Sequence, residues 1–320
     1  MRSSGRRTPT SADLAAALLP AGDRTELLRA CLPGARGSVP SLAALRAPDV
    51  RRAALLPSLL HASRSRGEEV DPEVLSVLRA ARTHEELRTA AITDAIRETL
   101  ERLREPALVV GGVAAAATAY EEWPLRHCHD LDLLVTERPG EEVHGSGFPV
   151  VRHTALYPRG GTRRGPSGAL DAVWARAVEV EVAGFPARTL APADAFAHVL
   201  GRAAWGVTTL RWALDAWWIA RAPALDWDVV ARHAEAARCA APVAVMARWL
   251  AEELGAEMPE AALGRLDEAA RESDPRDAAR VLRGPPRPWT LRRVAVGARA
   301  IARGAPLRPR PRGAPWGRAS

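Results

Sequence analysis

Residues 106–135 read PALVVGGVAAAATAYEEWPLRHCHDLDLLV, and this segment predicts more of the architecture than any other part of the chain. An apolar run ends at Gly111-Gly112, an alanine-rich segment follows, and a second apolar run carries Asp130 and Asp132. Alternate residues of a strand point to the same face, so the two carboxylates are expected to project together. The segment therefore predicts strand, helix and strand, with an acidic pair on one face of the second strand.

The residue types in this segment suit a metal–nucleotide complex. Paired carboxylates on a strand supply the hard oxygen ligands that Mg²⁺ bound to a triphosphate needs. A glycine pair lacks Cβ atoms, so its backbone can approach a phosphate, and the following helix offers free N–H groups and a positive dipole end. Each feature alone is usually a simple turn or a solvated edge. Together, with each of them following an apolar run, they indicate a nucleotide site much more specifically than either feature does alone.

With these motifs the chain resembles the nucleotidyltransferase superfamily related to DNA polymerase beta. VVGGVAAAA is similar to the glycine pair that opens a helix there, and LRHCHDLDLLV is similar to the acidic strand that follows. The resemblance extends to a broad bacterial group of poorly characterised nucleotidyltransferases over about residues 75–260. It includes Leu125-Arg126, the run RTLAPADAFAHVL at 188–200 and the segment RWALD at 211–215.

The resemblance implies an α/β (α+β) fold, in which a small mixed nucleotidyltransferase sheet is flanked by N- and C-terminal helical regions. It implies a Mg²⁺-dependent transferase that moves a nucleoside monophosphate from an NTP donor, such as ATP, to an acceptor. Asp130 and Asp132 would be the catalytic residues and metal ligands. Gly111, Gly112 and Arg126 would hold the nucleotide, although a salt bridge to a carboxylate is an equally ordinary role for Arg126.

One part of the implied site has no clear counterpart. Relatives carry a third acid on a later strand, but residues 149–170 contain no Asp or Glu. The nearest acids are Glu179 and Glu181, which share one face of a predicted strand, and Asp171. We expect Glu181 to be the third metal ligand, although such alternation is also ordinary in an exposed hairpin. Val113 stands where many relatives have Ser or Thr.

Three functions therefore stay open. The first is a nucleotidyltransferase whose acceptor is a small molecule, a protein side chain or an RNA end. The second is a catalytically impaired nucleotide-binding or scaffold protein of the same fold, because the third carboxylate cannot be identified. The third is a toxin-type transferase that modifies RNA, which predicts a basic groove beside the aspartate pair.

Composition limits the partners and the compartment. The formal net charge is +7, yet all 45 basic residues are Arg, which favours a coding bias over a surface selected for nucleic acid. Cys31, Cys128 and Cys239 are far apart and odd in number, which is typical of a reducing cytosol. Without a long apolar window or a signal-peptide pattern, we expect a cytoplasmic protein that does not enter a membrane.

Periodicity and breakers predict five regions. Residues 1–10 and the Arg/Pro-rich tail 304–320 are expected to be disordered. Residues 11–104 form an N-terminal helical region, 105–190 the nucleotidyltransferase core, and 191–303 a C-terminal helical region.

Two further features have ordinary explanations. The run His127-Cys128-His129 contains ligand types for zinc, but adjacent residues in a strand point to opposite faces and cannot all reach one ion. The tryptophans between 205 and 218 lie on predicted helices and are expected to pack in a core. Asp215 among them needs a partner, which Arg211 one turn earlier can supply.

Overall fold

A computed structural model describes residues 8–35, 37–47, 50, 54–136, 148–157, 167–206, 209–223 and 225–283, and the structural statements below concern these residues. They contain five strands and thirteen α-helices, which confirms the predicted α+β class. The predicted tail 304–320 and residues 1–7 of the predicted N-terminal segment lie outside this part of the chain.

Five α-helices precede the sheet: α1 Ser11–Leu18, α2 Gly22–Ala30, α3 Leu42–Leu45, α4 Leu56–Ser65 and α5 Pro72–Arg102. Local caps explain where two of them begin. Thr10 and Asp13 form a capping box at α1, and the Asp71 carboxylate accepts two backbone N–H groups at the start of α5. The 31-residue α5 then leads directly into the first strand, as the sequence predicts.

The central segment alternates strands with short helices: β1 Ala107–Val110, α6 Gly111–Thr118, a 3₁₀ turn at Trp123–Leu125, β2 Leu131–Val135, β3 Val150–His153, α7 Ser167–Arg176, β4 Val178–Val182 and β5 Phe185–Thr189. The strand order is β3-β2-β1-β5-β4. β2 is antiparallel to β1 and parallel to β3, while β5 is parallel to β1 and antiparallel to β4. The sheet is therefore mixed, as predicted.

The predicted hairpin between β4 and β5 is present. Ala183 and Gly184 at its tip both have positive φ, 55° and 77°, as two-residue hairpin turns require. This hairpin places Glu179 and Glu181 on β4, in the same sheet as β2 but at its far edge.

The two faces of the sheet carry different layers. Val109, Leu131 and Leu133 belong to a buried cluster with Ile96 of α5 and Val113 of α6. On the opposite face, β1 and β2 contribute to a second cluster with side chains of α7 and α8: Leu108, Val110, Leu134, Val173 and Ala195. Asp132 pairs with Val110 across the β1–β2 ladder and so belongs to this second face.

Six α-helices follow the sheet: α8 Pro192–Ala204, α9 Arg211–Ala220, α10 Trp227–Ala236, α11 Ala240–Leu254, α12 Glu260–Glu272 and α13 Pro275–Leu282. They share one hydrophobic cluster with Leu14, Leu28 and Leu59 of the N-terminal helices. The tryptophans predicted to be core are buried in it, with exposures of 4–6% at Trp205, Trp212, Trp217 and Trp218. Among the described helices, none has the length and apolarity to cross a membrane.

Candidate functional site

Asp132 lies at the centre of the sheet's second face, where β2 meets the start of α6. Its side chain is buried, and its Oδ2 lies directly over Gly111. A Cβ built on Gly111 would be 2.5 Å from Oδ2, and the backbone there has φ of +70°. Both facts require glycine at this position. The glycine pair and the acidic strand, which the sequence predicted separately, thus meet in one contact.

Two basic side chains bind the carboxylate of Asp132. His153 of β3 donates from Nε2 to Oδ1 at 2.6 Å, and Arg202 of α8 donates from Nη1 to Oδ2 at 3.2 Å. Burial raises the pKa of the Asp132 carboxyl, but the His153 hydrogen bond and the Arg202 charge outweigh burial, so the pKa lies below its ordinary value. Asp132 is therefore an ionised carboxylate with both oxygens in contact with the protein.

Asp130 lies just before β2 in a more open position. Its side chain is 28% exposed, and His129 Nε2 lies 3.6 Å from its Oδ2. Between the two aspartates, Leu131 donates its backbone N–H to Pro149 and buries its side chain under α5 and α6. That Asp130 projects to the same face as Asp132 stays a prediction.

Arg126 covers the second glycine of the pair. A Cβ on Gly112 would be 3.1 Å from Arg126 Nη2, so the guanidinium lies against the backbone at the start of α6. The guanidinium donates from Nε to Asp215 Oδ1 at 2.7 Å and from Nη2 to Oδ2 at 2.9 Å. Its third nitrogen donates to the carbonyl of His127. The predicted contact of Arg126 with a triphosphate stays a prediction.

Asp215 is the residue that fixes Arg126. Tyr120 also donates to Asp215, with 2.7 Å between Oη and Oδ1, so the carboxylate accepts three hydrogen bonds. The partner expected from helix spacing, Arg211, donates instead to the carbonyl of His127 at 2.8 Å. The tertiary fold therefore brings a more distant arginine to Asp215.

Burial and charge shift the pKa values in this network in physically consistent directions. Burial, reinforced by the Asp215 charge, raises the pKa of Tyr120 well above its ordinary value. Burial would lower the pKa of Arg126, but the Asp215 carboxylate outweighs it and raises the pKa. Burial and the neighbouring Arg126 charge lower the pKa of Arg211. Tyr120 therefore stays neutral and Arg126 stays charged.

Glu181 does not join the aspartates. β4 is separated from β2 by β5 and β1, which is three strand spacings or about 14 Å across the sheet. The side chain of Glu181 is exposed, as is that of Glu179 two residues earlier. Asp171 is exposed on α7. This separation argues against one ion shared by Glu181 and Asp132, because a hairpin at the sheet edge lies far from an interior strand.

Within the described ranges, no group of three His, Cys, Asp or Glu side chains is arranged to hold a metal ion. The run His127-Cys128-His129 does not form such a group either. His127 Nδ1 contacts Glu85 Oε2 at 2.8 Å, while His129 faces Asp130. Burial raises the pKa of the Cys128 thiol to about 11. Residues 127–129 lie before β2 and outside any strand, and their three side chains have separate partners.

His153 and Arg202 are the residues of the site that the sequence did not indicate. His153 lies in the stretch 149–170, which contains no Asp or Glu. β3 pairs with β2 in parallel, and His153 faces Asp132 because the two strands are neighbours in the sheet. Arg202 is 70 residues away in sequence, and only the packing of α8 brings it to the carboxylate.

A buried polar network fixes α8, the helix that carries Arg202. Asp194, with no exposed surface, accepts hydrogen bonds from Arg176 at 2.8 and 2.9 Å and lies 2.8 Å from His233 Nδ1. The other ring nitrogen of His233 lies 2.7 Å from Tyr157 Oη. The ring of Tyr157 also packs so closely on Gly201 that a Cβ there would be 2.5 Å away. Arg202 therefore projects from a rigid helix.

Residues 49–145 match the model of a protein family described as uncharacterised nucleotidyltransferase. The matched range contains the glycine pair, Arg126, Asp130 and Asp132, and it ends before β3. Comparison with curated proteins and with solved structures returned no match. The similarity supports a nucleotidyltransferase family on the part of the chain that carries the aspartates.

Proposed function

We propose that this chain is a Mg²⁺-dependent nucleotidyltransferase, which transfers a nucleoside monophosphate from an NTP such as ATP to an acceptor. The observation that carries the proposal is the seating of the Asp132 carboxylate on the Cα of Gly111. This contact places an ionised oxygen ligand at the N-terminus of α6, where backbone N–H groups and the helix dipole favour phosphate.

The donor set fits a hard divalent cation. Asp130 and Asp132 would hold it, since both are carboxylates and Mg²⁺ is commonly bound through one or two carboxylates together with waters and substrate phosphates. When bound, such an ion neutralises phosphate charge and orients the triphosphate. Gly111 contributes by leaving open the volume that a Cβ would fill beside Asp132 Oδ2.

The chain's own residues then position the donor. The free N–H groups at the start of α6 would bind the triphosphate, and Arg126 would border it from its place against Gly112. The acceptor would be a small molecule, a protein side chain or an RNA end in the cytoplasm. A toxin-type transferase is the case in which the chain modifies RNA.

A second function is favoured by one specific observation. Since Glu181 lies on a distant strand and both oxygens of Asp132 have protein partners, the described residues supply two carboxylates to the proposed site instead of three. A chain with this site could bind a nucleotide without turning it over, as a nucleotide-binding or scaffold protein of the same fold.

A metal-dependent binding titration tests the proposal. Wild type, Asp130→Asn and Asp132→Asn would be titrated with each of four NTPs, with and without MgCl₂. We expect Mg²⁺-dependent binding by wild type and a loss of at least about tenfold in both variants, because each removes one charged ligand. Asp171→Asn, an exposed acid on α7, is the matched control. Unchanged affinity in both variants would contradict the metal site.

Pyrophosphate release separates the two functions. The protein would be incubated with NTP, MgCl₂ and cell extract as the acceptor source. Release that requires Asp130 and Asp132 indicates nucleotide transfer. With a labelled NTP, label recovered in RNA indicates a toxin-type transferase. Binding without release indicates the nucleotide-binding protein.

A further inference from the structure

Asp132 already has a hydrogen-bond partner on each carboxylate oxygen. His153 binds Oδ1 and Arg202 binds Oδ2, while Gly111 lies beneath Oδ2. A divalent cation at Asp132 would lie beside the Arg202 guanidinium. Like charges at such short range in a half-buried site repel strongly. Metal and guanidinium therefore compete for the same carboxylate.

The charges change when a metal–nucleotide complex binds. A divalent cation would neutralise the aspartates, so Arg202 and His153 would lose the carboxylate that they bind in the ligand-free protein. The triphosphate brings several negative charges to the same place. A guanidinium is suited to phosphate, because it donates two parallel N–H groups to a pair of oxygens.

Arg126 alone does not supply the positive charge that a bound triphosphate needs. Its Nε and Nη2 are bound to Asp215, and its Nη1 is bound to the carbonyl of His127. Its charge is thereby largely neutralised within the protein. By contrast, Arg202 is bound to Asp132, the carboxylate that would hold the metal.

We propose that Arg202 and His153 are phosphate-binding residues of the site, which bind the Asp132 carboxylate in the ligand-free protein and turn to the triphosphate when a divalent cation replaces them. This inference rests on the proposed function, because it places metal and nucleotide at the aspartates. It assigns the site two basic residues, neither of which lies in the range matched by the family model.

The surroundings allow this exchange through side-chain movement alone. The side chains of Arg202 and His153 are 28% and 32% exposed, so both can rotate without opening the core. Their backbones stay in place, because β3 is paired with β2 and α8 is fixed by Asp194 and Tyr157. The exchange needs no domain motion.

The test compares Arg202→Gln and His153→Gln with Arg271→Gln, a charge-matched control at an exposed position on α12. In the first arm, MgCl₂ or MnCl₂ alone is titrated and followed by calorimetry and thermal shift. We expect Arg202→Gln to bind the metal about tenfold more tightly than wild type, because the competing cation is gone.

In the second arm, the four α,β-methylene nucleoside triphosphates are titrated at saturating metal. The best-bound nucleotide of wild type should bind about tenfold more weakly to Arg202→Gln and to His153→Gln, and Arg271→Gln should match wild type. Arg202→Lys should recover part of the affinity, because it restores charge without the planar fork. A merely structural salt bridge would not produce tighter metal binding together with weaker nucleotide binding.

The outcomes distinguish this inference from the proposed function. If wild type binds no metal and no nucleotide, the proposed function fails, and this assignment fails with it. If wild type binds both and the two Gln variants bind nucleotide like Arg271→Gln, only the assignment of Arg202 and His153 is overturned. Should Arg202→Gln not fold, His153→Gln carries both arms.

Discussion

The contact between Gly111 and Asp132 is the critical one among single residues. An ionised side chain with 6% exposure lies against a backbone that has no Cβ and a positive φ. The contact fixes the carboxylate at the start of α6. His153 and Arg202 hold the same carboxylate through hydrogen bonds to its two oxygens.

Gly111→Ala should lower the free energy of unfolding by about 3 kcal/mol, because it adds both left-handed strain and a clash with Asp132 Oδ2. Gly255→Ala is the matched control. That glycine has a similar φ of +64° at the end of α11, but a Cβ there would meet no atom within 4 Å. It should lose only about 1 kcal/mol. Urea unfolding of both variants measures the difference, and equal losses would show that the clash relaxes.

At the scale of elements, α9 matters to the site although it lies far from the aspartates in sequence. Its buried Asp215 accepts hydrogen bonds from Tyr120, after α6, and from Arg126, before β2. The helix thus ties the loop between α6 and β2 to the helical core. An acid within an otherwise apolar helix is explained by this cross-element role.

Asp215→Asn should lower the free energy of unfolding by about 3 kcal/mol, because it leaves the buried Arg126 guanidinium without its counter-charge. Tyr120→Phe removes one hydrogen bond to the same carboxylate and should cost about 1 kcal/mol. Chemical denaturation measures both. A loss for Asp215→Asn no larger than that for Tyr120→Phe would show that Arg126 finds another partner.

At the scale of the whole molecule, two of the hydrophobic clusters in the described residues share α5. Leu78, in the first half of this helix, belongs to the helical cluster, and Ile96, in its second half, belongs to the cluster beneath the sheet. Both side chains have no exposed surface. A single continuous helix therefore couples the N- and C-terminal helices to the sheet.

We expect one cooperative unfolding transition as a result. Leu78→Ala and Ile96→Ala should each cost about 3 kcal/mol. Each should shift the tryptophan-fluorescence and circular-dichroism midpoints together, although the buried tryptophans of α9 lie in only one cluster. Midpoints that separate in either variant would show that the sheet and the helices unfold independently.

The sequence by itself determined the strands, the Gly-Gly turn and the acidic pair, because short-range rules govern them. Strand alternation, glycine conformation and breaker residues act within a few residues of the chain. β1 and β2 are the two strands that the segment 106–135 predicts on either side of its helix. The α+β class follows from the order of these elements.

Only the tertiary structure decided which side chains meet Asp132. The sheet order moved Glu181 to an edge strand and brought His153 beside the carboxylate. The packing of α8 brings Arg202 to Asp132. The packing of α9 brings Asp215 to Arg126, whereas helix spacing suggested Arg211 as its partner. These contacts join residues that are 21 to 89 positions apart. The physical reason is that long-range pairing depends on strand order and on helix docking, which no local pattern of residues encodes.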